Sequence, residues 1–285
     1  MRSTKLAAPV AAVVLCVVTG CGGGDNNPSS KPDRIVSVSA TGTEDLYAIG
    51  AGSQVVAVDD YSTYPKQAPR TKLSGYTPNA EAIAAYKPDL VVTADDTNHV
   101  VEALRKLGIQ VLVDPPAQNL DAAYAQLEQL GRATGHDDEA RRVVTRMRAR
   151  IAAITRSLPK RARPLSVYHE LGGNYYSATS ATFVGSVYRL AGLRNVADKA
   201  KKAAPYPKLS AEYVVSANPD LVVLADTVCC KQSKATIAKR PGFAKMAAVR
   251  RNAVLAVPDD LASHWGPRIV DFLDLVARQV REMGG

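Results

Sequence analysis

Side chains able to grip or transform a small molecule gather just after short Val-, Leu- and Ile-rich runs of this chain. Ala40-Thr41-Gly42 follows one such run, and Asp59-Asp60-Tyr61-Ser62-Thr63-Tyr64-Pro65 follows the next. Gly75-Tyr76 and Asp95-Asp96 come later in the first half. The second half offers His169-Glu170 with Tyr175-Tyr176, then Cys229-Cys230, then Asp259-Asp260 with His264-Trp265-Gly266-Pro267-Arg268. Trp265 is the single tryptophan of the chain. Aromatic faces with polar rims suit a large flat or rigid solute, held by stacking and edge hydrogen bonds. Paired aspartates favour a cationic or donor-rich ligand, although Asp after a strand is also ordinary turn and cap chemistry. The expected ligand contacts are Thr41, Tyr61, Tyr64, Tyr76, Asp96, His169, Tyr176, Cys229, Cys230, Trp265 and Arg268.

Catalytic motifs are missing. There is no Gly-x-Ser-x-Gly elbow, phosphate-binding loop, His-Glu-x-x-His or dinucleotide fingerprint. His169 and Glu170 adjoin at a strand end and so point to opposite sides, which disfavours a joint acid–base role. The spacing of His99, His169 and His264 demands no metal site. The expectation is therefore a non-enzyme without catalytic residues, bound metal or cofactor of its own. Two alternatives remain open: a cleft enzyme or redox protein acting through Cys229 and Cys230, and a bare metal-ion receptor using His169 and His264. Adjacent cysteines in an oxidising compartment can close a small strained disulfide ring, and two free thiols are the equal alternative.

The elements that must carry these loops follow from periodicity. Short β-branched runs alternate with helical patterns through the first half, which predicts a parallel sheet covered on both faces. The second half repeats the plan. The repetition reaches sequence level: Glu81-x6-Pro88-Asp89-Leu90-Val91-Val92-x-Ala94-Asp95 returns as Glu212-x6-Pro219-Asp220-Leu221-Val222-Val223-x-Ala225-Asp226. A spacing this long indicates two similar lobes rather than a solenoid. In each copy the glutamate lies two places after a capping residue, Asn79 or Ser210. Between the halves, Val143, Met147, Ile151, Ile154 and Leu158 form the stripe of a long amphipathic helix. The predicted fold is α/β: two parallel-sheet lobes flanked by helices and joined by one stiff helix. The expected divisions are a leader over 1–20, a tether over 21–32, an N-terminal lobe over 33–136, the connecting helix over 137–159 and a C-terminal lobe over 160–285.

Arg2 and Lys5 precede the apolar run from Leu6 to Val18, the pattern of an export signal too short for a stable membrane span. Val18-Thr19-Gly20-Cys21 then resembles a bacterial lipobox, and Gly22-Gly23-Gly24-Asp25-Asn26-Asn27-Pro28 has tether composition. Cys21 is thus expected to carry lipid and hold the protein on the extracytoplasmic face of the cell membrane. The formal net charge of +9 resides largely in Arg141 to Arg150 and Lys160 to Arg163 without interleaved aromatics. That pattern reads as a solvated helix face and excludes a nucleic-acid surface.

Taken together, several motifs resemble the cobalamin and iron-siderophore substrate-binding proteins of ABC importers. They are Arg34-Ile35-Val36-Ser37-Val38-Ser39, Thr43-Glu44 with Ala48-Ile49-Gly50, Val56-Ala57-Val58-Asp59 with Tyr64-Pro65, the duplicated Glu-x6-Pro-Asp-Leu-Val-Val, Leu107-Gly108-Ile109 and Trp265-Gly266-Pro267-Arg268. The resemblance runs from Pro32 onward. It implies a monomeric class III receptor that captures a metal chelate, either cobalamin or another corrinoid, or a ferric siderophore or haem. It also implies delivery to a permease dimer carrying ATPase subunits, with Glu81 and Glu212 docking on permease arginines. Tyr61, Tyr64 and Tyr76 match the family's aromatic positions, and Arg268 is the arginine expected at the cleft.

Overall fold

The computed structural model describes residues 31–200 and 204–283. The expected leader, the lipidated Cys21 and most of the tether lie outside the described residues.

Among the described residues eight strands form two separate four-stranded sheets. In the first half these are β1 (Ile35–Val38), β2 (Val55–Val58), β3 (Leu90–Thr93) and β4 (Gln110–Val113), linked by α1 (Ala40–Ala48), α2 (Ala80–Ala84) and α3 (Val100–Lys106). Two longer helices follow, α4 (Leu120–Thr134) and α5 (Asp137–Arg156). The second half contains β5 (Leu165–Glu170), α6 (Phe183–Leu190), β6 (Leu193–Asn195), α7 (Ala211–Ala217), β7 (Leu221–Leu224), α8 (Lys234–Ala238), α9 (Ala247–Arg250) and β8 (Val254–Ala256). It closes with α10 (Asp259–Ser263) and α11 (Ile269–Glu282). Strand order is β2-β1-β3-β4 in one sheet and β6-β5-β7-β8 in the other, and all pairings are parallel. The two sheets therefore share one topology, as the duplicated segment requires. Central strands β1, β3, β5 and β7 are buried at every residue, the burial expected of a parallel sheet covered on both faces.

The duplicated segment does the same mechanical work twice. Asn79 and Ser210 cap α2 and α7, their side chains accepting from Ala82 N and Tyr213 N; such caps contribute about 1 kcal/mol each. Asp89 Oδ2 accepts from Asp33 N and Arg34 N at 2.9 Å, which pins the start of β1 beside β3. Asp220 Oδ2 accepts from Ser166 N at 2.9 Å and does the same for β5 beside β7. Within each copy, capping residue, aspartate and apolar triplet are thus accounted for by the fold.

Helix α5 buries Ala140, Val143, Val144, Met147 and Ile151 against α4 and α11. Its first turn carries Asp137, Asp138 and Glu139, whose charge complements the helix N-terminus. The arginines of its outer face are laced to carboxylates, Arg141 to Asp138, Arg142 and Arg146 to Glu139, and Arg150 to Asp271 on α11. One apolar core runs from Ile35 and Val92 through Leu127, Met147 and Ile151 to Val167, Val223 and Phe272. That continuity through α4, α5 and α11 couples the lobes mechanically.

Candidate functional site

The carboxyl ends of β1, β2 and β3 open on a cavity of about 290 Å³. Parallel sheets meet ligands at such ends, where loops and helix starts converge. A buried hydroxyl network shapes the floor: Thr43 Oγ1 donates to Ser37 Oγ at 2.9 Å and lies 2.8 Å from Ser62 Oγ. Asp59 Oδ1 accepts from Ser62 N at 2.8 Å, so the loop leaving β2 is fixed to α1. Burial raises the Asp59 carboxyl pKa, and hydrogen bonds from Ser62 oppose the shift. Gly75 lies against this carboxyl so closely that a Cβ there would meet Asp59 Oδ2 at 2.0 Å. This floor presents Tyr61 and Tyr76, which are 61% and 79% exposed, beside Thr41 and Trp265.

A second cavity of about 610 Å³ lies between the lobes. Pro116, Ala117 and Gln118 line it from the loop after β4, facing Leu171, Thr182, Phe183, Pro205 and Tyr206 of the C-terminal lobe. Trp265 lines both cavities and makes them neighbours. Its buried indole N–H has no hydrogen-bond partner among the described residues. The loop after β4 was legible as a strand end, but nothing local marks Thr182, Phe183 and Tyr206 as its opposite wall.

The loop carrying Trp265 is tied across to the first lobe by Glu44 of α1. Oε1 of Glu44 accepts from His264 Nδ1 at 2.6 Å, and Oε2 accepts from Arg268 Nε at 2.9 Å. Arg268 Nη2 also bonds Glu44 Oε1 and, at 2.8 Å, Asp260 Oδ2. The Arg268 guanidinium lies 4.0 Å from the centre of the Tyr64 ring. Burial opposes the Arg268 charge, but its bonds to Glu44 and Asp260 prevail and raise its pKa. Two expectations are corrected here. Arg268 is not a cation offered to an anionic chelate, because two carboxylates and an aromatic face already satisfy it. Tyr64 joins it in a separate hollow of about 240 Å³ with Tyr47 and Gln67. Beneath lie further acids: burial raises Asp45 well above the usual carboxylate range, with Asp114 and Glu44 adding to it, and pushes Asp114 up to about 6.

Other expected contacts also move. His169 is wholly buried within β5, where its Nδ1 lies 2.6 Å from the Tyr188 hydroxyl, and burial lowers its pKa to about 4. It is a core histidine and not a cleft contact. Asp96 is engaged by the first turn of α3, its Oδ1 accepting from Val101 N at 2.8 Å. Tyr176 is 45% exposed and bridges Gly172 and Lys208 away from the lining of both cavities. Cys229 and Cys230 form a vicinal disulfide on an exposed loop. Asp259 holds that loop by accepting from Val228 N and Cys229 N, and neither cysteine lines the cavities. Among the described residues no three His, Cys, Asp or Glu side chains are grouped to hold a metal ion.

Glu81 and Glu212 are exposed in the first turns of α2 and α7. The Glu212 carboxyl pKa is lowered by its own backbone N–H and by Ser210. Unlike Asp89 and Asp220 of the same segment, these carboxylates pin no neighbouring strand among the described residues.

Residues 35–261 match the periplasmic binding protein family model. The chain belongs to the periplasmic binding protein family. Among its relatives is a cobalamin-binding protein of Halobacterium salinarum, 33% identical over 85% of this chain and 68% of that one. An uncharacterized ABC transporter substrate-binding lipoprotein of Bacillus subtilis is 27% identical over 88% of this periplasmic binding protein and 80% of its own length. Among solved structures, the apo form of a periplasmic heme-binding protein from Roseiflexus sp. RS-1 aligns with TM-score 0.76 at 25% identity. That alignment covers 89% of this chain and 99% of the other. The two-lobed α/β architecture is that of a class III binding protein.

Proposed function

We propose that this periplasmic binding protein captures a corrinoid of the cobalamin class between its lobes and delivers it to an ABC permease. One observation carries the reading: Trp265 joins an aromatic-rimmed cavity at the ends of β1 to β3 with a larger cavity between the lobes. A broad, rigid, partly apolar solute with polar edges fits such walls better than a small ion or a peptide. The cobalamin-binding name of the 33% identical relative supports the same class. In this reading Thr41, Tyr61, Tyr76 and Trp265 contact the ligand. Cys21 anchors a monomeric receptor outside the membrane, as the lipoprotein name of the Bacillus subtilis relative also suggests.

Glu81 and Glu212 dock the permease dimer, whose ATPase subunits drive release. The motive is their exposure within a segment whose capping residues and strand-pinning aspartates are engaged in the fold. A Glu81→Lys/Glu212→Lys protein should bind cyanocobalamin like the wild type yet support no uptake in cells dependent on this receptor. Undiminished uptake by that variant would remove the docking assignment.

A further inference from the structure

We propose that the face of the second lobe built by α8, α9 and the turns around them rests on anionic lipid headgroups of the cell membrane. This surface lies outside both cavity linings, and its role does not depend on which solute the cleft takes.

Charge is divided unevenly along the chain. Residues 33–136 hold 8 Lys and Arg against 13 Asp and Glu, whereas residues 160–285 hold 19 against 10. The excess concentrates between Asp226 and Asp259, where seven basic residues occur without one acid. Arg240 turns inward to the buried Glu170. The other six, Lys231, Lys234, Lys239, Lys245, Arg250 and Arg251, are exposed, and none forms an ion pair among the described residues. The arginines of α5 differ, because carboxylates neutralise Arg141, Arg142, Arg146 and Arg150.

The fold holds the six cations on one surface. Ile237, Phe243, Met246 and Ala248 are buried in the core of the second lobe, which leaves the basic residues between them outside. Gly242, at φ 83°, turns the chain between α8 and α9. Lys234 Nζ donates to Asn252 Oδ1 at 3.2 Å, which brings the start of α8 beside Arg250 and Arg251. Unpaired cations on short packed elements repel one another, and a polyanionic surface relieves that repulsion.

Two observations favour lipid over a protein partner. The matching segment of the first lobe, between Asp96 and Asp114, holds only Arg105 and Lys106, and Lys106 pairs with Glu102. A symmetric permease dimer presents like surfaces to the two lobes, so a patch confined to one lobe does not match it, whereas a fluid anionic surface imposes no such symmetry. The second observation is positional. The chain enters the described fold at Lys31, whose Nζ donates to Gly135 O at 3.0 Å shortly before β1, and Arg250 and Arg251 likewise shortly precede β8. Both places lie at the amino ends of parallel strands, opposite the carboxyl ends that open on the cavities. Resting there leaves the cleft open for capture, and a lipid anchor would raise the effective concentration of the patch at the surface.

Amide hydrogen exchange of the full chain, purified from membranes and reconstituted in vesicles, tests the contact. In vesicles of equal parts phosphatidylcholine and phosphatidylglycerol, exchange over residues 239–252 should slow about fivefold or more relative to phosphatidylcholine alone. One molar salt, which cuts the screening length to about 3 Å, should erase the difference. Lys239→Glu/Lys245→Glu/Arg250→Glu/Arg251→Glu should erase it too, while quenching of Trp265 by cyanocobalamin stays as in the wild type. Lys245→Gln/Arg250→Gln/Arg251→Gln, a milder set, should weaken the protection, which keeps the test open should the reversed protein fold poorly. Equal exchange on the two kinds of vesicle, or protection that persists in the variants, overturns the lipid contact. Protection in native membranes but not on the anionic vesicles assigns the face to a protein partner and overturns it as well.

Discussion

Arg268→Met tests the tie between α1 and the Trp265 loop most severely. Arg268 makes two bonds to Glu44, one to Asp260, and stacks on Tyr64. The Glu44 side chain is 2% exposed, so deleting the guanidinium leaves a buried carboxylate with only His264 as partner. Removing one member of a buried pair costs about 3–5 kcal/mol. His264 retains part of the compensation and methionine keeps contact with the Tyr64 face, so the loss should fall near the lower end, about 3 kcal/mol. Urea unfolding followed by circular dichroism would read this as a lower midpoint at unchanged slope. Glu44→Gln combined with Arg268→Met removes the orphaned charge, so the double variant should be more stable than the sum of the single losses allows. Strictly additive losses, or an Arg268→Met protein within about 1 kcal/mol of wild type, would show that the tie is no stronger than a surface ion pair.

Two further outcomes follow from the C-terminal lobe. Asp226 is fully buried, neither of its carboxyl oxygens has a hydrogen-bond partner among the described residues, and burial, then neighbouring Glu170, raises its pKa from 3.8 to about 7. The protonated form is thus favoured by folding: its stabilising contribution is complete below 3.8 and is lost as pH rises through about 7. Asp226→Asn, which is neutral at every pH and so cannot repel Glu170, should exceed wild-type stability by about 2–4 kcal/mol at pH 8, and the gap should close by pH 4. A pH-independent gap in urea unfolding would contradict the assignment. Replacing Cys229 and Cys230 together by serine should leave cyanocobalamin affinity within about twofold in calorimetry, because the disulfide lies outside both cavity linings. A tenfold loss (about 1.4 kcal/mol) would return the pair to the ligand site.

The architecture was largely legible because its signals are local. Alternating apolar runs gave the parallel sheets, Asn79 and Ser210 announced two helix starts, and the Val143–Met147–Ile151 stripe gave α5. Helix α4 was equally readable in Ala123, Tyr124, Leu127 and Leu130. Strand β6 was not, since three residues with exposed Arg194 at the centre carry no periodicity. His169 was misplaced because β5 continues to Glu170 and keeps its last residues inside the sheet; apolar pattern marks where such a strand begins better than where it stops. Arg268 was misassigned for a different reason. Its partner Glu44 lies 224 residues away, and pairing over that distance leaves no trace in local sequence. The same non-local contact hid the orientation of His264, whose ring is set by the same carboxylate.

Because Trp265 is the single tryptophan and lines both cavities, its fluorescence reports on the cleft alone. Titration with cyanocobalamin should quench that emission saturably at one ligand per protein, and Tyr61→Ala/Tyr76→Ala should weaken the apparent affinity at least tenfold. Emission that stays unquenched at saturating cyanocobalamin would contradict the account of the cleft as a corrinoid receptor.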